Sequence, residues 1–152
     1  MRGFWLFVHV LGIALWLGGG LATMVVGVAA KRFSPESRIA TYRLTSAVQR
    51  LLIGPGAIGA VLSGVVLSAP FILKGGVVPG WLMLMMTAGI LAALIALAVT
   101  VPTVARLGRL DLDSKGDLPE GFPQLRRRLV VAASVTGGLV LIALAAGTIL
   151  RT

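Results

Sequence analysis

Residues 3–30, 51–73, 81–104 and 129–150 form four apolar stretches that contain no Asp, Glu, Lys or Arg. Each is long enough to carry a helix across a hydrocarbon core about 30 Å thick, which takes about 20 residues. Inside that core no water satisfies backbone N–H and C=O groups, so such a run must be helical. The pattern predicts an all-α integral membrane four-helix bundle, up-down in topology, forming one domain over residues 1–152. The connections at 31–50 and 105–128 are its two long polar pieces.

Composition agrees. The mean hydropathy is +0.99 and 57% of the 152 residues are hydrophobic, which leaves no room for a separate soluble domain. The net charge of +9 flanks apolar spans, where it is read as topology and as attraction to anionic lipid headgroups. No basic–aromatic platform points to nucleic acid, and none is expected as a partner. There is no cysteine, so disulfides, thiolate metal sites, covalent haem attachment and a cysteine nucleophile are all excluded.

The charges also orient the chain. Lys31, Arg32, Arg38, Arg43 and Arg50 sit in the first connection, and Arg106, Arg109, Lys115, Arg126, Arg127 and Arg128 in the third. Against these eleven stand Arg2, Lys74 and Arg151 at the other end. The positive-inside tendency places both long connections in the cytoplasm, with both termini on the outer side of the cytoplasmic (inner) membrane. The first run exceeds a signal-peptide core, and its basic cluster follows it, so it is expected to stay as a span.

Ser34-Pro35-Glu36 has the order of a helix start: a capping hydroxyl, a proline tolerated in the first turn, then an acid at the positive dipole end. One helix is expected to begin near Pro35 and run into the second span, kinked at Pro55. The third span is expected to continue past Pro102 toward Arg106. The stretch 111–123, which holds four of the five acids, reads as the mobile loop.

The spans contain no buried carboxylate to relay protons or hold sodium, which disfavours an ion-coupled carrier. No paired acids, Ser/His/Asp set, phosphate loop or HExxH motif appears, so no enzyme is expected. Small residues give a clearer signal. Gly56, Gly59, Ala60, Ser63 and Gly64 fall on one side of the second span, and Ser134 and Gly138 repeat the spacing in the fourth. Such stripes let backbones approach closely, either within the bundle or between copies. Gly18-Gly19-Gly20 in the first span reads as close helix packing rather than a phosphate cradle.

His9, the single histidine, shares a helical line with Ile13, Trp16, Gly20, Thr23 and Gly27, with Gly12 beside it. Met83 and Met86 of the third span are expected at a similar depth. Imidazole with thioethers suits Cu(I), and a His/Met pair can ligate haem iron, so His9, Trp16, Met83 and Met86 are the ligand or cofactor candidates, with His9 the candidate for metal. The competing reading is structural: a neutral histidine bonding a carbonyl, and methionines filling gaps. Trp5 and Trp81 serve as interface anchors.

The string from His9 through Trp16 to Gly18-Gly19 (HVLGIALWLGG) resembles the first-span pattern of the CopD-like membrane proteins, closest to their short four-span branch. Pro55, Gly64 and Trp81-Leu82 also sit where that branch tends to have such residues. The resemblance implies an inner-membrane four-helix unit with links to copper handling or b-type haem. The expectation drawn from all of this is a non-catalytic scaffold or accessory subunit that packs against lipids, other membrane subunits or itself. The alternative is a copper or haem binder in metal or electron transfer through His9, and no bound cofactor is favoured over either group.

Overall fold

A computed structural model describes residues 1–73 and 77–150; Lys74 and Arg151, counted above at one end of the bundle, lie outside the described residues. The described chain is all-α. Its helices are α1 (Arg2–Ala29), α2 (Pro35–Val48), α3 (Gly54–Leu73), α4 (Gly80–Ile95), α5 (Val101–Leu107) and α6 (Phe122–Thr148). Through short irregular turns they join into four continuous rods long and apolar enough to cross a membrane: Arg2–Arg32, Pro35–Leu73, Gly80–Leu107 and Phe122–Thr148.

The predicted start of α2 forms as expected. Ser34 is its N-cap, its Oγ accepts the N–H of Ser37 at 3.4 Å, and Pro35 opens the first turn. From there the helix runs on into the second span. At Gln49–Ile53 it widens, so that the N–H of Gly54 bonds the carbonyl of Gln49, five residues back. The third span does the same at Ala96–Thr100, where the N–H of Val101 bonds the carbonyl of Ala96. Each wide turn ends two residues before a proline, Pro55 or Pro102. A proline removes the N–H that the carbonyl four residues earlier would take, and lengthening the turn by one residue moves that carbonyl's partner past the ring. The distortion expected at Pro55 therefore has an unexpected counterpart at Pro102.

Around the bundle the order is α1, α3, α4, α6. The two close pairings are α1 with α3 and α4 with α6; α3 also meets α4, and α1 touches α6 lightly. Antiparallel registers follow from particular contacts. A Cβ at Gly19 would lie 2.8 Å from Ile53, whereas one at Gly64 would lie 3.1 Å from His9. Arg43 Nε donates to the Gly108 carbonyl at 3.0 Å, and Gly54 faces Leu97 further along. The central core gathers Trp16, Ile53, Ala57, Ala60, Ala92, Ala93, Ala96 and Val140. One indole among many alanines fills the space where four backbones come close.

A second, smaller core lies at the basic end: Tyr42, Leu107 and Phe122, with Leu110, Leu118, Leu125 and Leu129 around them. The Tyr42 and Phe122 rings meet edge to face at 5.7 Å. The fourth helix starts here, at Phe122, so Arg126, Arg127 and Arg128 of the connection before the apolar run lie on its first turns. Pro123 suits the first turn, and burying Phe122 anchors it there. The acidic stretch before it is organised about Asp113, whose Oδ1 accepts the N–H groups of Lys115 and Asp117, both at 2.8 Å. Gly116, at φ +80°, supplies the turn that closes it.

Candidate functional site

His9 sits half-buried on the seam between α1 and α3. Its Nδ1 lies 2.7 Å from the Ala60 carbonyl and 3.3 Å from Ser63 Oγ. A carbonyl can only accept, so Nδ1 carries a proton and donates it to Ala60. Ser63 fits this assignment: its hydroxyl donates to the Gly59 carbonyl and offers a lone pair toward Nδ1. Gly64 makes the space, since a Cβ there would stand 3.1 Å from His9 Cε1 and 3.4 Å from Nδ1. The imidazole is thus slotted against a turn of α3 that is small at Ala60, Ser63 and Gly64.

One turn along, the two backbones nearly touch. A Cβ at Gly12 would lie 2.7 Å from both the Ala60 nitrogen and the Gly56 oxygen, and one at Gly56 would lie 2.9 Å from the Gly12 oxygen. Both glycines are buried. Of the predicted stripe, Gly56, Ala60 and Gly64 do the close packing. Gly59 lies at the edge, where a Cβ would make only an ordinary 3.9 Å contact with Val8.

Other expected packing residues lie elsewhere. Gly19 packs on Ile53, but a Cβ at Gly18 or Gly20 would meet nothing within 4 Å. The α1 seam therefore runs through His9, Gly12, Trp16 and Gly19, rotated toward Gly12 from the line that passed through Gly20 and Gly27. In α6, Ser134 and Gly138 are exposed, and the chain buries Ala132, Thr136, Val140 and Ala146 instead. Those two residues do not hold this chain's own bundle together.

The structure does not gather the expected ligand set. Trp16, 5% exposed, is a core side chain. Met83 is 56% exposed and Met86 half-buried, on a helix placed diagonally from α1, while His9 finds its partners on α3. The methionine that faces a neighbour is Met85, whose sulfur would lie 2.9 Å from a Cβ at Gly147. Among the described residues, no three His, Asp or Glu side chains stand close enough to share a metal ion.

Sequence reasoning missed a buried polar layer nearer the basic end. Gln49 Oε1, Thr100 Oγ1 and Thr136 Oγ1 are fully buried with no hydrogen-bond partner. Gln49 and Thr100 belong to the two wide turns. The Arg43–Gly108 and Gly54–Leu97 contacts put those turns at overlapping depths on adjacent helices. Compared with family models, curated proteins and solved structures, the chain matches none.

Proposed function

We propose that this protein is a non-catalytic subunit of the cytoplasmic membrane, an up-down bundle with both termini outside, which packs against other membrane proteins or further copies of itself. The observation that carries this reading is the small-residue face of Ser134 and Gly138 on α6, one turn apart, which no described helix of this chain covers. In lipid, small residues give a helix little to hold, but they let a second backbone approach closely and gain dispersion along its length. His9 is consistent with such a role, because its Nδ1 joins α1 to α3.

A second reading has its own support. Donation from Nδ1 to a carbonyl is the arrangement that fixes a ligating histidine with Nε2 free. Two copies could then share one haem or copper through His9, in keeping with the CopD-like resemblance.

The test is native mass spectrometry with absorption and metal analysis on gently solubilised protein. Expected are assemblies heavier than one chain, broken down by Gly138→Leu, with no Soret band or stoichiometric copper. A strictly monomeric parent would remove the self-association form of the subunit reading. A stoichiometric haem or copper signal lost in His9→Ala would put the second reading in its place.

A further inference from the structure

We propose that the groove between α2 and α5 binds the phosphate headgroup of an anionic phospholipid, with its acyl chain lying along the second span. The groove is largely open and holds about 420 Å³. Arg43 and Arg109 line one part of it and Arg50 the other, with Ser46 and Ala47 between them on α2. Arg43 and Arg50 are seven residues apart, hence on the same face of the helix and about 10 Å apart along its axis at 1.5 Å per residue. A phosphate seated above Ser46 can therefore draw on cations from both sides and a hydroxyl beneath.

The fold builds this arrangement rather than merely permitting it. A Cβ at Gly108 would lie 3.1 Å from both the nitrogen and the Cα of Arg43, so glycine lets α5 approach α2 there. The Gly108 carbonyl then holds Arg43 Nε at 3.0 Å, leaving the terminal nitrogens of the guanidinium to face an anion. One of them pairs with Asp111 Oδ1 at 3.5 Å, but the two side chains are 60% and 88% exposed. A pair so open to solvent is weak, and a phosphate can displace it.

The other half of the ligand is set by the groove's apolar side. Leu51, 73% exposed, continues from Arg50 toward the apolar length of the span. Guanidinium groups above and aliphatic surface below match a lipid, whereas a soluble phosphate compound would leave the aliphatic side unused. The assignment requires only that the chain lie in a membrane, and it stands whether or not the subunit reading does.

Native mass spectrometry of the detergent-released full chain, with phosphatidylglycerol and with phosphatidylcholine of identical acyl chains, tests the site. Phosphatidylglycerol is expected to be retained preferentially. Arg50→Gln with Arg109→Gln is expected to weaken it roughly thirtyfold, at about 1 kcal/mol per basic residue near the surface. Arg127→Gln with Arg128→Gln removes the same charge from the start of α6 and is expected to change binding much less. Equal retention of phosphatidylcholine, an equal loss in both double variants, or displacement by millimolar glycerol phosphate would each overturn the proposal. Should the glutamine pair fail to fold, Arg50→Gln and Arg109→Gln made singly are each expected to weaken phosphatidylglycerol binding about fivefold. Binding by both single variants as tight as the parent's would overturn it equally.

Discussion

At the scale of single residues, the seam between α1 and α3 is decided by absent side chains. Gly12 and Gly56 each bring backbone to within a distance that no Cβ tolerates, and what they would meet is main chain, which cannot turn aside as a side chain can. Even the smallest substitution should therefore push the helices apart. Gly56→Ala is expected to cost about 1–3 kcal/mol, in the usual range for overpacking. Gly59→Ala, three residues away on the edge of the same stripe, should leave the melting temperature in detergent unchanged. If both alanine variants melt with the parent, the two backbones are not in contact. The sequence could show that small residues line this part of α3, because angles within a helix follow from spacing alone. It could not show which meridian meets a neighbour, since that depends on the partner's shape, and so Gly59 looked equivalent to Gly56. The same limit hid Met85. Met83, Met85 and Met86 together point around most of the helix, so their spacing gives no phase.

At the scale of elements, the two wide turns join what were separate sequence signals. Pro55 and Pro102 each announce a break, but nothing in a linear reading says that the breaks lie side by side or that they bury Gln49 and Thr100. Those groups belong to different spans, and their depths coincide only once the Arg43–Gly108 contact sets the register. A buried hydroxyl with no partner forfeits its hydrogen bond to water, while an apolar group of the same shape loses nothing. Thr100→Val and Thr136→Val should therefore melt at or above the parent temperature. Thr103→Val is the control: its hydroxyl donates to the Val99 carbonyl at 2.6 Å, so its removal forfeits a bond that is made. Marked destabilisation by the first two would show that the layer's hydroxyls have partners, whether within the chain or bound to it.

At the scale of the whole molecule, the four rods were legible because bilayer thickness, backbone hydrogen bonding and apolar length all constrain the same residues. The small core of Tyr42, Leu107 and Phe122 was not, because its members come from three distant segments with no shared periodicity. That core draws the start of α6 back to Phe122 and puts three arginines on a helix. It thereby concentrates the basic end: α2, α5 and the first turns of α6 all carry arginine there. Exposed guanidinium groups on rigid helices cost more to carry across a membrane than to leave on the side of synthesis, which is the physical sense of the eleven-to-three distribution of basic residues. Both termini should then face outward and the α2–α5–α6 end inward. With no cysteine in the chain, a single cysteine placed at Arg2 or at Lys115 reports its side without background. An impermeant maleimide applied to intact cells should label the Arg2 site, whereas the Lys115 site should react only after the membrane is opened. Labelling of the Lys115 site in intact cells would reverse the orientation and turn the arginine-lined groove toward the outer leaflet.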